Sequence, residues 1–400
     1  MPDLKTLGDV HADRAADCCC HDAALRAATA TRAETPACAG SGAVEHQLVR
    51  VSVVVPTCGR PHLLQRCLAS LVVQQFDPQQ MEIIVVDDAV QGGPGEHVYN
   101  GAHPDHIANP TRSVVAECSA GVLAHGLQVR YLPPLGPDAA HGPAAARNRG
   151  WRSARGSVIA FTDDDTQARA DWLACGMAVF CGMAPGAPAP SQVDAVWGRI
   201  TMPLHGPASD YELDAKGLER AEFVTANCFC RRSLLEQIDG FDERFRMAWR
   251  EDADLYFRLL EQGRRIVHVP AAVVVHPIRP AAWGVSLQQQ RKILFDALLF
   301  KKHPARYREK IRASPHWDYY AIVAALLTAV LCGASGHTVA AALASLVWLS
   351  LTLKFIVRRL RPAIKTPSHV LEMIVTSVLI PPLAVFWRLV GVLRFRVAFL

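Results

Sequence analysis

The sequence predicts an α/β domain with a Rossmann-like, mostly parallel sheet, followed by transmembrane helices toward the carboxyl terminus. Three observations support this prediction. Continuous apolar runs that suit buried strands alternate with helical segments along the first two thirds of the chain. Two of these runs end in clustered aspartates. Half of the 400 residues are hydrophobic, and the apolar excess gathers after Tyr319, which indicates a membrane-attached region.

The predicted elements alternate between strand and helix. The strands are apolar runs typical of a parallel sheet, and in chain order they are Val51–Val55, Ile83–Val86, VRYLPP (129–134), SVIAF (157–161), DAVWGRI (194–200), RRIVHVP (264–270) and AVVVHP (272–277). The helices carry apolar residues at helical spacing, and they begin near Pro61, GPAAARN (142–148), RRSLLEQ (231–237) and EDADLYF (251–257). The stretch from Gln91 to Gly126, rich in Gly, Pro and His, is expected to be a loop or an insertion.

Composition limits the partners and the compartment. A net charge of +5 is too small to indicate nucleic-acid binding, and no nucleic-acid partner is predicted. The 12 cysteines include no CxxC pair, so reduced thiols are expected. Residues 1–48 are interpreted as a disordered tail, with Cys18–Cys20 part of it rather than a metal-binding or acylated site. The first 30 residues contain aspartates where the apolar core of a signal peptide would lie, so none is expected.

The last third of the chain is predicted to attach the protein to a membrane. Residues 285–318 are interpreted as a basic amphipathic segment that lies at the membrane interface. Residues 319–400 are interpreted as a transmembrane region that begins with a hairpin of Tyr319–Cys332 and Val339–Leu353. The third apolar stretch, Val370–Val392, is left open between spanning, re-entering and lying at the interface. A helical hairpin in the core of a soluble protein is the alternative for these segments.

Basic residues flank the predicted hairpin on one side. The segment KFIVRRLRPAIK (354–365) carries five basic residues and no acids, and residues 285–318 are basic as well. The positive-inside rule places that side in the cytoplasm. We therefore expect a multi-pass protein of the inner cell membrane, with its globular domain, residues 49–284, in the cytoplasm.

Three consecutive aspartates, Asp163–Asp165, end one of the predicted strands. In open α/β sheets, ligands bind beyond the carboxyl ends of the strands. Side chains alternate along extended backbone, so Asp163 and Asp165 are expected to point one way and Asp164 the other. Carboxylates at such an edge suit Mg²⁺ or Mn²⁺ bound together with substrate phosphates. A solvated surface turn is the alternative for the triplet.

Five segments from Val51 to His276 resemble the family 2 glycosyltransferases in the order of that family: VVVPTCGRP, IIVVDDA, GPAAARNRG, FTDDD and REDADLYFRLLEQG. The resemblance implies a GT-A nucleotide-sugar-binding fold over residues 49–284. It implies a metal-binding DxD motif, here Asp163 and Asp165. It also implies donor binding by residues of these motifs, which here are Pro56, Thr57, Arg60, Asp87, Asp88, Arg147, Asn148 and Asp164.

The same resemblance implies a catalytic base at the ED motif, here Asp252 with Glu251 beside it. A helix start suits this role, because the helix dipole stabilises an ionised carboxylate there. Simple capping of the helix by these acids is the alternative. Direct attack by an acceptor hydroxyl, without an enzyme-bound sugar, would invert the anomeric configuration, as the family implies.

Neighbouring residues receive simpler interpretations. Asp242 resembles a position near the acceptor, and Trp249 is left open between stacking on a sugar and packing in the core. Arg258 is expected to pair with acids one or two turns earlier on its helix. His276 is interpreted as structural rather than as a metal or phosphate ligand, and Cys228 and Cys230 as structural.

Together these features predict a metal-dependent enzyme that moves a sugar from a nucleotide-diphosphate donor to a lipid-linked or glycan acceptor, such as a cell-envelope polysaccharide, with membrane lipids as further partners. Nucleotidyl transfer and a catalytically inactive membrane scaffold are the alternatives. The segment LQQQRKILF has Gln288 and Arg291 at the spacing of the Q-x-x-R-W stretch of processive synthases. It has Lys292 in place of Trp, so a non-processive enzyme is predicted.

Overall fold

An eight-stranded mixed sheet forms the centre of the computed structural model, which describes residues 49–90, 109–183, 189 and 192–399. Its strands are β1 (Val51–Thr57), β2 (Met81–Asp87), β3 (Gln128–Leu132), β4 (Val158–Phe161), β5 (Gln167–Ala168), β6 (Ala195–Thr201), β7 (Cys228–Arg231) and β8 (Ile266–Val275). Their order is β3-β2-β1-β4-β7-β6-β8-β5. The first four strands in this order are parallel, and β7 is antiparallel to both of its neighbours. The predicted parallel sheet is therefore parallel in one half and mixed in the other.

Helices cover the sheet and then continue beyond it. They are α1 (Pro61–Leu71), α2 (Pro110–Val122), α3 (Pro143–Ser153), α4 (Trp172–Phe180), α5 (Asp210–Ala215), α6 (Arg232–Ile238), α7 (Glu251–Glu261), α8 (Val285–Gln289), α9 (Leu294–Lys302), α10 (Pro304–Arg306), α11 (Trp317–Ala334), α12 (Thr338–Leu360) and α13 (Pro367–Phe395). The prediction for residues 1–48, with Cys18–Cys20, lies outside the described residues.

The apolar runs of β1 and β2 are continuous because both faces of these strands are buried. On one face, Val53 and Val55 pack in a cluster with Leu64 of α1. On the other face, Val54 packs in a second cluster with Trp151 of α3. These two layers set the positions of α1 and α3 against the carboxyl ends of the strands.

The structure corrects the prediction for the stretch from Gln91 to Gly126. Residues 91–108 lie outside the described residues, but Pro110–Val122 form a helix rather than a loop. Pro110 occupies the first turn, and the Asn109 Oδ1 accepts a hydrogen bond from the Thr111 amide at 2.9 Å. Val115 is buried in the same apolar cluster as Val53 and Leu64, on one face of the sheet. A capped start and one buried apolar face therefore outweigh the loop-like composition of the segment.

The strands after β4 also differ from the prediction. The two short strands expected at residues 264–270 and 272–277 form one strand, β8, whose pairing with β6 shifts register between Gly198 and Arg199. This irregularity lets one strand continue through Pro270. Helix α4 and strand β7 were not predicted. Cys228 and Cys230 lie buried in β7, and the described cysteines form no disulfide bond.

Three carboxyl-terminal helices, α11, α12 and α13, are long and apolar enough to cross a membrane. Helices α11 and α12 pack together, and at the base of this pair the Arg358 guanidinium lies 3.1 Å from the Asp318 carboxylate. This agrees with the predicted helical hairpin. At 1.5 Å per residue, α11 and α12 are about 27 and 35 Å long, close to the thickness of a hydrocarbon core.

Helix α13 contacts the rest of the protein at both of its ends. Near its start, the Glu372 carboxylate accepts a hydrogen bond from the Gly284 amide at 2.7 Å. At its end, the Phe395 carbonyl accepts one from Lys301 Nζ at 2.8 Å. Between these points, Ser377 accepts a hydrogen bond from Arg359 of α12 at 3.0 Å. The third apolar stretch therefore forms one helix that contacts the rest of the protein at its start, its middle and its end.

The segment at residues 285–318 packs more deeply than predicted. In α9, the residues from Leu294 to Leu299 are all buried, so the helix has no free apolar face for a bilayer. Phe295 packs with Phe245 and with Phe395 at the end of α13. The basic segment therefore joins the sheet domain to α13, and its boundaries at 285 and 318 remain predictions.

The close contact between α3 and β1 generates a stability prediction. A Cβ added to Gly150 would lie 2.3 Å from Val54 Cγ1 and 3.1 Å from Val86 Cγ2. Gly150→Ala is therefore expected to lower the free energy of unfolding by about 1 to 3 kcal/mol, because the helix must move off the sheet. Thermal unfolding of the purified full chain would measure this as a lower Tm.

Gly121→Ala is the matched control for this substitution. Gly121 also lies in a helix, but a Cβ there would meet no atom within 4 Å. The change should leave stability unaltered or raise it by up to about 1 kcal/mol, since Ala is the better helix former. Equal Tm values for the two variants would contradict the packing argument.

Candidate functional site

The aspartates that follow β4 diverge, as the alternation of side chains predicts. Asp164 turns toward β1, where its Oδ2 accepts a hydrogen bond from Thr57 Oγ1 at 2.7 Å. The Arg60 guanidinium lies 2.7 Å from the Asp164 Oδ1. Burial raises the pKa of Asp164 to about 6, although Arg60 and Thr57 act to lower it. Asp164 thus holds the loop after β1, and it engages Thr57 and Arg60, two residues predicted to bind the donor.

Asp163 and Asp165 lie together with His276. Each of the three offers one ligand atom, and these atoms all lie within 4.8 Å of one another. The His276 Nε2 is 3.5 Å from the Asp165 Oδ1. His276 was interpreted as structural, but its position at the end of β8 places it beside the predicted metal ligands. Two carboxylates and an imidazole form a donor set that fits a divalent cation.

Arg279 is a site residue that the sequence interpretation missed. Its Nε lies 3.1 Å from the Asp165 Oδ2, and half of its side chain is exposed. Arg279 follows β8 in the segment HPIRP, three residues after His276. A basic residue just beyond a strand end, at the edge where the aspartates lie, was the signal that could have identified it.

Arg147 links the two acidic parts of the site. Its side chain is 3% exposed, with one terminal nitrogen 2.7 Å from the Asp163 Oδ1 and the other 3.0 Å from the Glu251 Oε1. Burial alone would raise the pKa of Asp163, but Arg147, His276 and Arg60 lower it below its usual value. The residue was predicted to bind the donor, whereas in the structure its terminal nitrogens hold protein carboxylates.

Glu251 and Asp252 begin helix α7, as predicted. Burial raises the pKa of Glu251 to about 7, against the opposing effect of Arg147. The Glu251 Oε2 is buried and has no hydrogen-bond partner among the described residues. Asp252 is half-buried, and the Ala253 amide donates a hydrogen bond to its Oδ1 at 2.7 Å. Burial also raises the pKa of Asp252, so both carboxyls are more basic than an exposed one.

A second layer of ion pairs holds the start of α7. The Asp254 carboxylate lies 3.0 Å from Arg258 Nε, which confirms the predicted pairing one turn along the helix. Asp254 also contacts Lys302, the last residue of α9, and lies 3.2 Å from the ring of His303, the residue after it. Lys302 in turn lies 2.6 Å from Asp242. Asp242, expected near the acceptor, is therefore engaged within the protein.

Trp249 is also fixed from α9. Its Nε1 donates a hydrogen bond to the Asp296 Oδ1 at 2.9 Å, and the neighbouring Arg250 contacts the same oxygen at 2.7 Å. Arg250 has a positive φ of 76° and precedes the first residue of α7. Asp296 therefore fixes the backbone immediately before Glu251, so α9 helps to orient the predicted base.

The two aspartates after β2 differ in their contacts. The buried Asp87 accepts hydrogen bonds from Tyr131 at 2.8 Å and from Asn109 at 3.0 Å, so its carboxylate binds the protein. In Asp88, Oδ2 accepts a hydrogen bond from the Gly142 amide at 2.8 Å, while Oδ1 has no hydrogen-bond partner among the described residues. His141 Nδ1 lies 3.5 Å from this Oδ1, so the Asp88 carboxylate has fewer hydrogen bonds within the protein than that of Asp87.

Asn148 differs from its predicted role in donor binding. It is fully buried, and its amide group donates to the Phe241 carbonyl at 2.9 Å and to Glu243 at 2.8 Å. Its Oδ1 accepts from the Trp151 ring and from the Phe241 amide, each at 2.9 Å. All of its hydrogen-bonding groups are used to fix the loop before α7. Pro56 is likewise buried, within β1.

Comparison with known families agrees with this arrangement. A model of the family described as "Glycosyl transferase family group 2" matches residues 158–390, more than half of the chain. A second model, "Glycosyl transferase family 2", matches residues 52–100. The chain belongs to the family 2 glycosyltransferases. The predicted family and enzyme class are confirmed, and the mixed sheet with its flanking helices matches the predicted GT-A fold.

Individual relatives of this family 2 glycosyltransferase are distant. It is 29% identical over 236 residues to a pre-mycofactocin glycosyltransferase of Mycobacterium tuberculosis, a match that covers 57% of this chain and 43% of that protein. It is 24% identical over 254 residues to glycosyltransferase AglE of Haloferax volcanii, covering 61% and 71% of the two chains. The chain thus matches less than half the length of the mycobacterial relative.

Among solved structures, this glycosyltransferase resembles the mannosyltransferase PcManGT from Pyrobaculum calidifontis, in complex with GDP-Man and Mn²⁺. The match covers 85% of this chain and 87% of the other, with 18% sequence identity and a TM-score of 0.49.

The bridging position of Arg147 generates a second stability prediction. Arg147→Gln would leave Asp163 and Glu251 without their shared cation, and removing one partner of a buried ion pair costs about 3 to 5 kcal/mol. We expect a clear decrease in Tm for the full chain. Arg152→Gln is the control, because Arg152 lies on the same helix but its ion pairs with Asp239 and Glu243 are accessible to solvent, and each is worth at most about 1 kcal/mol. Equal Tm values for the two variants would contradict the bridging role.

Proposed function

We propose that this protein is a metal-dependent, inverting glycosyltransferase that moves a sugar from a nucleotide-diphosphate donor to an acceptor hydroxyl of a lipid-linked molecule or glycan. One observation carries the proposal: Arg147 joins Asp163, one of the two carboxylates suited to a metal, to Glu251 at the start of α7. Donor activation and acceptor deprotonation would therefore occur at neighbouring positions of one cleft.

The first part of the proposal is a divalent cation, Mg²⁺ or Mn²⁺, held by Asp163 and Asp165 with His276 beside them. When bound, such an ion neutralises charge that develops on a diphosphate leaving group. The residues present fit it, because their ligand atoms converge within 4.8 Å.

Two basic residues beside Asp165 support the proposal that a diphosphate binds next to the metal. A small cavity of about 90 Å³ adjoins Asp165, and its lining includes Arg66 and Arg279. Guanidinium groups bind phosphate oxygens in pairs of hydrogen bonds. Arg279, which is half exposed, could turn from Asp165 to the donor when the cleft fills. The Asp88 Oδ1 accepts no hydrogen bond from a described residue, although His141 Nδ1 lies 3.5 Å away, and we assign it to the nucleoside on the other side of β1.

The second part is a general base at the start of α7. We assign this role to Asp252, because its carboxylate is partly exposed and forms no ion pair with any described residue. Glu251 is buried and fixed by Arg147, so it would orient the site and keep negative charge near the base. Direct attack by the deprotonated hydroxyl would invert the anomeric carbon. The complete carboxylate set argues against the inactive scaffold, and the family argues against nucleotidyl transfer.

The proposal also includes the position of the cleft. We place the hairpin of α11 and α12 across the inner cell membrane and α13 at its cytoplasmic interface. Arg359 supports this arrangement, because it joins α12 to Asp210 at 2.7 Å, next to the sheet domain. An acceptor carried by a membrane lipid would then reach the cleft from the bilayer.

The metal assignment predicts a loss of transfer in Asp163→Asn/Asp165→Asn. We expect at least a 100-fold decrease in kcat/KM with UDP- and GDP-sugar donors in Mn²⁺ or Mg²⁺, and a similar loss when a chelator is added to the wild type, because the leaving group is no longer neutralised. Asp171→Asn, a partly exposed site after β5 that pairs with Arg169 rather than with the site residues, is the control and should retain activity. Full activity of the double variant would overturn the metal assignment.

The base assignment predicts that Asp252→Asn binds donor and metal normally but transfers sugar at least 100-fold more slowly, since general-base catalysis contributes about 10²- to 10⁴-fold. Calorimetry would measure donor binding, and product formation would measure transfer. Asp239→Asn is the control, because Asp239 is exposed. Wild-type kcat in Asp252→Asn would exclude this residue as the base.

The raised pKa values at the start of α7 predict the pH dependence of transfer. The base acts in its deprotonated form, so a raised pKa moves the loss of activity on acidification to a higher pH. At saturating metal, the loss of kcat/KM on acidification should occur at a higher pH than the value of about 4 at which an exposed carboxyl titrates. A profile that is flat down to about pH 5 would show that no group with a raised pKa acts as the base.

A further inference from the structure

A cavity of about 210 Å³ lies outside the catalytic cleft, between the end of α13 and the segment that enters the hairpin. Three arginines line it: Arg308, Arg312 and Arg388. The aromatic rings of Phe300 and Phe399 contribute to its walls. The described residues that line this arginine cavity include no aspartate or glutamate. It is therefore a concave site with concentrated positive charge.

Arg388 is the decisive residue. Its side chain is 5% exposed, yet among the described residues it forms neither a hydrogen bond nor an ion pair. Its guanidinium carbon lies 4.5 Å from the centre of the Phe399 ring, a contact that satisfies none of the five N–H donors. A buried charge without a partner is costly. An anion in the cavity would supply the missing acceptors.

The other two arginines are also available to such an anion. Arg308 and Arg312 are exposed and form no ion pair with a described carboxylate. The pKa of the neighbouring His316 is lowered to about 4, first by burial and then by the positive charges of Arg312 and Arg388. Three guanidinium groups around one cavity match the oxygen atoms of a phosphate group.

The position of the cavity indicates where the phosphate comes from. Pro315 lines the cavity, and Trp317 begins α11 two residues later with 62% of its surface exposed. Tryptophan is enriched where a helix enters the bilayer, at the depth of the lipid headgroups. On α13, Leu389 and Leu393 follow Arg388, one turn apart from each other, and are exposed by 47% and 77%. An acyl chain could lie along them.

We propose that the arginine cavity binds the phosphate headgroup of a membrane lipid. The phosphate oxygens accept hydrogen bonds from Arg388, Arg308 and Arg312, and the lipid chain leaves the cavity along the exposed leucines of α13. Basic pockets beside membrane helices on the cytoplasmic side commonly bind anionic headgroups. The inference rests on the membrane attachment proposed above and is independent of the sugar chemistry.

The test uses the purified full chain in detergent and measures the binding of dihexanoyl phosphatidic acid by calorimetry. We expect Arg388→Gln to bind this lipid at least tenfold more weakly than the wild type. Dihexanoyl phosphatidylcholine should bind at least tenfold more weakly than phosphatidic acid to the wild type, because its choline offsets the phosphate charge. Inorganic phosphate should also bind at least tenfold more weakly, because it gains nothing from the apolar walls.

Arg394→Gln is the matched control, since Arg394 is exposed on the same helix and does not line the cavity. It should bind phosphatidic acid as the wild type does. Arg308→Gln/Arg312→Gln, which changes only exposed residues, decides the result if Arg388→Gln does not fold, and it should weaken binding at least tenfold. Wild-type affinity in the folded cavity variants would overturn the proposal. Equal affinity for inorganic phosphate and phosphatidic acid would overturn the assignment to a lipid.

Partition into vesicles separates this inference from the membrane attachment on which it depends. The full chain should enter phosphatidylcholine vesicles through its hairpin, whether or not Arg388 is present. A wild-type chain that stays out of all vesicles would overturn the attachment. If the wild type and Arg388→Gln both enter the vesicles and the variant binds phosphatidic acid as the wild type does, the cavity assignment alone would be overturned.

Discussion

The site depends on the two ion pairs of one buried arginine. Arg147 reaches from α3 to Asp163 after β4 and to Glu251 at the start of α7, two segments almost 90 residues apart in sequence. In a low-dielectric interior, two carboxylates that share one cation would repel each other and resist burial if that cation were absent. The guanidinium between them makes the arrangement stable. It also fixes the separation between the proposed metal ligands and the proposed base.

Close packing under the helix determines whether Arg147 can reach both carboxylates. Gly150, one turn later on α3, allows the helix to approach Val54 of β1. Asn148 holds the loop before α7 through Phe241, and Asp296 holds Trp249 and Arg250 from the other side. These hydrogen bonds are made by residues around the proposed base and not by Asp252 itself. They orient α7 so that its first two acids meet the edge of the sheet.

The carboxyl-terminal helices are joined to this domain by polar contacts as well as by packing. Arg359 on α12 meets Asp210, and Glu372 on α13 meets the amide of Gly284. Both contacts place polar residues of these apolar helices against the sheet domain.

The sequence by itself determined the strands β1, β2 and β4, because a strand buried on both faces must be a continuous apolar run. It also determined that acidic residues follow two of the strands and begin α7, because these acids are clustered directly after apolar strand segments and directly before an amphipathic helical segment. Short-range rules do not encode which partner each polar group meets. Tertiary structure alone decided that Arg147 holds two carboxylates, that Asn148 and Asp87 are used internally, and that His276 and Arg279 join the aspartates. It also decided that α9 is buried against α13, because burial depends on contacts between segments far apart in the chain.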